Sequence, residues 1–254
     1  MPASDATRRF SSRVENYVRY RPGYPVPIID LLAKECGLRA DAMVADLAFG
    51  TGIFTKLLLE NGNGVFGVEP NADMRAAGES YLAGYPRFTS VAGTAEATTL
   101  ADHSVDLVTA AQAAHWFDLN KARQEFIRIT KPSGWAVLLW NERTVDSTPF
   151  LRAYEELLLN FGTDYKEVRH ERTTETIHEF FSPTPFQSRL FDNHQEIDYA
   201  GLEGRLLSSS YVPFADHPNH KPMLAELRRI FDSHQASGKV VLEYKTRVYY
   251  AKLS

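Results

Sequence analysis

The segment DLAFGTGIFT at residues 46–55 has the composition of a loop that holds a nucleotide. Asp46 ends a short apolar run, Gly50 and Gly52 fall in the turn, and a helical pattern starts at Thr51. Glycine permits close approach between backbone and ligand, and the N–H groups at a helix N-terminus point toward whatever binds there. The segment therefore predicts a binding turn between a strand and a helix.

A carboxylate stands where a nucleoside would need one. Glu69 closes the apolar run GVFGVE, 23 residues after Asp46, and an acid about 20 residues beyond such a turn is the expected acceptor for ribose hydroxyls. A dinucleotide fingerprint would place glycine at the positions of Ala48 and Thr55. The spacing thus predicts a nucleoside site and weakens a dinucleotide interpretation.

The elements that position these residues follow from the period of the apolar pattern. Short apolar runs alternate with segments of helical spacing, which indicates an α/β fold with a mainly parallel sheet and helices on both faces. The predicted strands are 41–48, 64–69, 88–92, 105–111 and 135–140, and the predicted helices are 29–37, 51–61, 74–81 and 122–129. The nucleotide turn falls after the first of these strands.

Beyond Asn141 the pattern changes. Residues 148–238 contain candidate helices at 150–161, 201–208 and 221–234, separated by proline-containing loops, which indicates a cap over the sheet. Alternating residues in KVVLEYKTRVYYAKL predict a final strand over 239–252, at or near the sheet edge. The whole chain, 1–254, is interpreted as one domain, with 41–141 as its cofactor-binding core.

Composition excludes several classes of protein. The 254 residues carry a net charge of -4 and no run of Lys or Arg longer than two, so nucleic acid is not an expected partner. Cys36 is the only cysteine, which excludes an internal disulfide and a cysteine zinc cluster and fits a cytoplasmic location. His217 and His220 lack a metal-site spacing, and no apolar stretch is long enough to cross a membrane. Oligomeric state, monomer or homodimer, stays open.

Several motifs together resemble the class I S-adenosylmethionine-dependent methyltransferases. DLAFGTG is followed by VFGVEPN, GTAEATTLADHSVDLVTAAQAAHWFD and KPSGWAVLLWNER, and YVRYRPGYP, SSSYVP and EYKTRVYY extend the likeness over nearly the whole chain. Within this family the chain is most similar to the methyltransferase type 11 group that includes trans-aconitate methyltransferases. The resemblance implies a Rossmann-like fold, S-adenosyl-L-methionine as cofactor and a small-molecule acceptor.

The resemblance also implies roles for individual residues. Glu69 would hold the ribose hydroxyls, Ala95 and Glu96 would lie beside the adenine, and Asp46 would order the loop. The remaining positions expected near the cofactor are Ala48, Gly50 and Gly52 beside its methionine part, Gln112 after the fourth strand, and Tyr17 and Arg21 in an N-terminal lid over residues 1–24. Phe49 and Thr94 depart from the family pattern, and the Phe49 ring is expected to pack behind the loop or to line the site without closing it.

A sulfonium methyl is already electrophilic, so the protein has mainly to place a nucleophile in line with it and to exclude water. A carboxylate acceptor would need only a cationic clamp, whereas an alcohol or phenol would also need a base. For these tasks the sequence offers His115 as base or pocket wall and Trp116 with Phe117 as an aromatic wall, one of the two being core, beside Asn141 after the fifth strand.

Arg205 and Tyr211 form a polar cluster in the predicted cap, and Arg247 offers a second guanidinium for capturing a carboxylate. The sequence leaves one alternative open. A protein with this fold could bind the nucleoside without transferring a methyl group, acting as a regulator or in another reaction class.

Overall fold

A seven-stranded sheet runs through the centre of the computed structural model, which describes residues 14–165 and 173–253. Its strands are β1 (Met43–Leu47), β2 (Gly64–Val68), β3 (Phe88–Val91), β4 (Val105–Ala111), β5 (Thr130–Arg143), β6 (Gln187–Ile197) and β7 (Val240–Ala251). The order across the sheet is β3-β2-β1-β4-β5-β7-β6. The first five strands pair in parallel, and β7 runs antiparallel to both β5 and β6.

Helices connect the strands. They are α1 (Val14–Tyr20), α2 (Pro27–Cys36), α3 (Ile53–Glu60), α4 (Ala72–Tyr81), α5 (Leu119–Ile129), α6 (Pro149–Phe161), α7 (Thr173–Phe181), α8 (Tyr199–Leu207) and α9 (His220–His234). Side-chain caps fix several starts: Asn71 accepts two N–H groups of α4, and Asp118 accepts one of α5. Strand-to-helix turns therefore end at defined residues next to the carboxyl ends of the parallel strands.

The core divides into three apolar clusters. One covers the sheet face beneath α2 and α3, a second covers the opposite face beneath α5 and α7, and a third lies among α6, α8, α9 and the start of β7. The sheet is mainly parallel and has helices on both faces, which confirms the predicted α/β class. Its central strands are buried on both sides and accordingly carry apolar residues on both.

Two details differ from the sequence prediction. The region 148–238, predicted as helices separated by loops, also contains β6, which forms one edge of the main sheet. Strand β7 is second from that edge, which agrees with its predicted position at or near the edge. Strand β5 is also longer at both ends than the predicted 135–140. The pattern of β6 is mostly exposed and polar, so periodicity alone gives little sign of a strand.

Helix α1 spans two parts of the molecule at the carboxyl side of the sheet. It contacts α4, which follows β2, and α8, which lies in the predicted cap region. The predicted lid covers residues 1–24, of which 1–13 lie outside the described residues. The boundaries and roles predicted for lid, core and cap stay predictions.

Candidate active site

The loop between β1 and α3 turns through three residues of positive φ. Ala48, Gly50 and Gly52 have φ angles of 53°, 60° and 86°. A Cβ atom at Gly52 would lie 2.7 Å from Cδ1 of Leu82, so glycine is favoured there on two grounds. Ala48 adopts the left-handed region despite its side chain, at a cost of about 1 kcal/mol. The loop has the strand-turn-helix form that the sequence predicts.

Phe49 lies behind this loop. Its buried ring meets the ring of Phe88 edge to face, with centroids 5.5 Å apart. Cβ atoms at Gly67 and Gly78 would lie 2.9 Å and 2.5 Å from ring atoms of Phe49, so these two glycines make room for the ring. The ring belongs to the apolar cluster beneath α2 and α3, which confirms the prediction that it packs behind the loop.

Glu69 is held directly against the loop. Its Oε2 accepts the N–H of Gly50 at 3.0 Å, and its Oε1 accepts the N–H of Asn71 at 2.9 Å. Burial raises the pKa of Glu69, and the N–H groups of Asn71 and Gly50 oppose that rise. An ionised carboxylate has about four acceptor positions, so these two bonds leave capacity for further donors such as ribose hydroxyls.

Asp46 lies deeper, beneath the loop. Its Oδ2 accepts the hydroxyl of Thr55 at 2.6 Å and its Oδ1 accepts the hydroxyl of Thr109 at 2.8 Å. Burial raises the pKa of Asp46 to about 6, and the two hydroxyl groups oppose the rise. The residue thereby joins β1 to α3 and β4. Its role in ordering the loop for a cofactor stays a prediction.

One buried polar atom in the loop has no protein partner. Among the described residues, Thr51 Oγ1 is inaccessible to solvent and makes no hydrogen bond. Leaving a buried hydroxyl unsatisfied costs about 1 to 3 kcal/mol, so a polar ligand seated on the loop would stabilise this arrangement. Thr51 and Glu69 together fit a nucleoside cofactor here. The sequence analysis did not single out Thr51, although a hydroxyl between two glycines is a recognisable signal.

The predicted adenine contacts lie in the turn after β3. Thr94 and Ala97 exchange two backbone hydrogen bonds of 3.2 Å, and Ala95 between them is buried. Oε1 of Glu96 accepts the N–H of Asp118 at 2.9 Å, which connects this turn to the start of α5. The contacts of Ala95 and Glu96 with adenine stay predictions, and one carboxylate oxygen of Glu96 is already engaged.

Hydrogen bonds join the ends of β4 and β5 to the N-terminal segment. Gln112, with φ of 60°, donates from Nε2 to the carbonyl of Asn141 at 3.0 Å. Asn141 donates to the carbonyl of Gly23 at 3.1 Å and accepts from the hydroxyl of Thr246. Strand β5 continues to Arg143, so Asn141 lies within the strand and not after it as predicted. A left-handed non-glycine residue such as Gln112 is typical of a binding site.

Arg205 is buried in the last turn of α8. Its Nε lies 3.3 Å from the hydroxyl of Tyr244, and its Nη1 lies 3.1 Å from Oγ of Ser209. No carboxylate in the described part of the chain forms an ion pair with it. A guanidinium keeps its proton when buried, and the groups that this part of the structure places on the charge are neutral hydroxyls.

A second buried arginine, which the sequence analysis missed, lies beside it. Arg143 at the end of β5 forms an ion pair with Glu155 and donates to the hydroxyl of Tyr165 at 3.1 Å. Its guanidinium also lies 5.0 Å from the ring centroid of Tyr154. The sequence does contain a sign of this buried ion pair. Glu155 follows Leu151 by four residues and so lies on the apolar face of α6, where a charged side chain needs a buried partner.

Tyr211 lies near these positive charges, with its ring centroid 4.8 Å from that of Tyr165, which binds Arg143. Burial would raise its pKa, but the charges of Arg205, Arg143 and Arg21 outweigh burial and hold the pKa of Tyr211 below its usual value. Arg21 reaches this region from the segment after α1, where its Nη2 donates to the carbonyl of Ser208 at 2.9 Å. The structure thus brings Arg205 and Tyr211 together, as predicted, and places Arg21 on their side of the site.

Arg247 is not part of this group. Its Nε lies 4.0 Å from Glu142, and alternation along β7 puts Arg247 and Tyr244 on opposite faces of the sheet. Arg143 stands opposite Tyr244 in the register and shares the face of Arg205. Arg247 therefore does not share a sheet face with Arg205, contrary to what a clamp of these two arginines requires, whereas Arg143 does.

The predicted aromatic residues follow β4. His115 and Trp116 lie on a short 3-10 helix, Ala114–Trp116, with ring centroids 4.8 Å apart, and His115 is exposed. Phe117 packs against the core cluster beneath α5, as expected for one of the two aromatic residues. The roles predicted for His115 and Trp116 stay predictions. Tyr17 lies in α1, and its side chain is outside the described part of the structure.

Residues 14–165 and 173–253 contain no group of three potential metal ligands. None of the helices that they form is long and apolar enough to cross a membrane.

Comparison with known proteins agrees with the fold and the loop. The family model described as "Methyltransferase domain" matches residues 45–138. An uncharacterized methyltransferase of Mycobacterium tuberculosis is 40% identical over 248 residues, covering 95% of this chain and 94% of the relative. An uncharacterized methyltransferase-like protein of Schizosaccharomyces pombe is 31% identical over 158 residues, 62% of this chain and 60% of the relative.

Solved structures support the same fold. A protein of Anaeromyxobacter dehalogenans, described as a type II methyltransferase, superposes with a TM-score of 0.71 at 20% identity over 92% of this chain and 98% of its own. A methyltransferase of an antibiotic biosynthesis pathway in Anabaena variabilis superposes with a TM-score of 0.65 at 22% identity, covering 93% and 99%.

These matches and the loop geometry place the chain in a class. It belongs to the class I S-adenosylmethionine-dependent methyltransferases, and it is an enzyme of that type. The alternative of a nucleoside binder that transfers no methyl group is thereby set aside. The likeness to the trans-aconitate group within the family stays a prediction.

Proposed function

We propose that this methyltransferase binds S-adenosyl-L-methionine on the β1–α3 loop and transfers its methyl group to an oxygen of a small acceptor carrying a carboxylate. The observation that carries the acceptor assignment is the buried guanidinium of Arg205, which pairs with no carboxylate of the described residues. The location in the cytoplasm and the absence of a nucleic acid partner remain predictions from composition.

Different residues of the chain would bind the cofactor and the acceptor. Glu69 would accept the ribose hydroxyls, and Thr51 would donate to or accept from a polar atom of the cofactor. The bound cofactor supplies an electrophilic methyl group on a sulfonium. Arg205 and Tyr211 would hold the acceptor carboxylate, whose oxygen is ionised at neutral pH and needs no base. Catalysis would rest on positioning and on the exclusion of water.

The cofactor half of the proposal is tested at Glu69. Glu69→Ala removes the expected ribose acceptor and is predicted to weaken binding of S-adenosylhomocysteine by about 1 to 3 kcal/mol, the cost of leaving buried hydroxyls unpaired. Titration calorimetry measures this, with Glu79→Ala as the control because Glu79 lies on exposed surface of α4. Equal affinity in the two variants would show that the ribose lies elsewhere.

The acceptor half is tested by the chemistry of the product. Transfer to a carboxylate forms a methyl ester, which base hydrolyses to methanol, whereas methyl ethers, N-methyl and C-methyl products survive the same treatment. We expect radiolabelled S-adenosyl-L-methionine and a panel of small acids to yield base-labile, volatile label. Label that is transferred in base-stable form would refute the carboxylate acceptor while leaving the methyltransferase intact.

A further inference from the structure

The positive charges around Tyr211 come from three separate parts of the chain. Arg205 lies in the last turn of α8, Arg143 ends β5, and Arg21 follows α1, yet all three lower the pKa of the same phenol. Arg143 is paired with Glu155, so one positive charge there is compensated. Among the described residues, the hydrogen-bond partners of Arg205 are hydroxyl groups, and none of them carries a negative charge that would offset the buried guanidinium.

Arg21 is firmly attached to this side of the molecule. Besides its bond to the carbonyl of Ser208, the preceding residue packs on α8: a Cβ atom at Gly204 would lie 2.1 Å from the ring of Tyr20. The carbonyl of Tyr20 accepts from Nε2 of Gln195 on β6 at 3.0 Å. The segment therefore rests on the elements that carry the arginine cluster, although the family resemblance assigned Arg21 to the cofactor.

The same segment extends toward the cofactor half. Helix α1, directly before Arg21, contacts α4 as well as α8. Asn71 caps the start of α4, and its backbone N–H donates to the carboxylate of Glu69. Helix α1 therefore packs against elements of both the cofactor half and the acceptor half of the site.

We propose that Arg21 and Arg143 are acceptor-binding residues, and that the acceptor's negative charge, bound by Arg21, holds α1 closed over the site. This inference rests on the proposed function. Tyr211 completes the pocket as a donor, because a phenol whose pKa is lowered gives a stronger hydrogen bond to an anion. Closure through α1 then couples acceptor and cofactor binding, and each tightens the other by the same factor.

The coupling is measured by titrating S-adenosylhomocysteine into the full chain with and without a saturating small acid. Succinate, butyrate and benzoate serve as probes, and succinamide is the uncharged control for succinate. We expect at least one acid to tighten S-adenosylhomocysteine by about fivefold or more, and succinamide to have no effect. Arg21→Gln should abolish the tightening while keeping the affinity measured without acid.

Two further variants test whether the coupling depends on Arg21 and Arg143 in particular. Arg19→Gln removes the same charge from the exposed surface of α1 and should retain the coupling. The pair Arg143→Gln with Glu155→Gln removes a guanidinium without leaving its carboxylate unpaired, and should lose the coupling. Unaltered affinity for S-adenosylhomocysteine alone shows that each variant is folded.

Other outcomes overturn the inference. It fails if no acid tightens S-adenosylhomocysteine in the wild type, if succinamide acts as well as succinate, or if either the Arg21 variant or the double variant keeps the coupling. It also fails if Arg21→Gln weakens S-adenosylhomocysteine without acid, because Arg21 is then a cofactor residue. A wild type that does not bind S-adenosylhomocysteine at all would refute the proposed function itself.

Discussion

Ala48 shows how a residue with a side chain can occupy a backbone conformation that favours glycine. Its φ of 53° is in the region that glycine adopts freely and that alanine adopts with strain. The loop nevertheless keeps its shape because Glu69 binds the N–H of Gly50 and Asp46 fixes the underlying strand. Neighbouring hydrogen bonds therefore hold the strained residue in place.

Ala48→Gly is predicted to raise the free energy of unfolding by about 0.5 to 1 kcal/mol, because relief of the strained φ outweighs the greater freedom of glycine in the unfolded chain. Denaturant titration measures the change. Ala45→Gly is the matched control, since Ala45 lies buried in β1 and glycine within a strand destabilises. Changes of the same sign in both variants would contradict a strained Ala48.

At the scale of elements, the loop and α4 fit together through Phe49. A Cβ atom at Gly78 would lie 2.5 Å from Cε2 of Phe49 and 3.0 Å from the carbonyl oxygen of Gly50. Gly78→Ala is therefore predicted to lower the free energy of unfolding by about 1 to 3 kcal/mol through overpacking. Phe49→Leu should relieve part of this clash, so that the double variant is more stable than the sum of the single changes by about 1 kcal/mol.

Gly84→Ala provides the control for this cycle. A Cβ atom at Gly84 would meet no heavy atom within 4 Å, so the substitution should be nearly neutral and independent of Phe49. Additive changes for Gly78→Ala and Phe49→Leu would show that the ring does not occupy the space beside Gly78.

How much the sequence predicts also differs from element to element. Strands β1, β2 and β4 are short, mostly apolar runs, so their type and order follow from composition and period. Strand β6 pairs only with β7, at the edge of the sheet, and most of its residues are exposed. A partner strand 43 positions later in the chain determines its conformation, and no local pattern reports that pairing.

The residues of the candidate site also differ in how far the sequence predicts them. Gly50, Gly52 and Glu69 follow from a local motif, because one turn and one strand end carry them. The cluster of Arg21, Arg143 and Arg205 assembles from three distant segments, so only Arg205 was identified as a clamp from its neighbours in the chain. Sequence spacing carries no information on which of several arginines share a face of the sheet.

For the whole molecule, Asp46 is the group that most directly connects protonation to folding. It lies in β1 at the middle of the sheet and joins α3 and β4 through two hydroxyl groups. Its pKa is about 6 in the folded protein, whereas the ordinary value expected in the unfolded chain is 3.8. Between these values the folded state binds more protons, so this group's contribution to stability falls as pH rises.

Asp46→Asn removes that titration while keeping an acceptor for Thr55 and a donor to the oxygen of Thr109. Between pH 4.5 and 7, the unfolding free energy of the wild type should decline relative to the variant, by at most about 1.4 kcal/mol per pH unit. Asp106→Asn is the control: the pKa of Asp106 is lowered, so its titration lies below this window and the slope should match the wild type. Parallel curves for the wild type and Asp46→Asn would show that Asp46 is ionised at no cost in the folded protein.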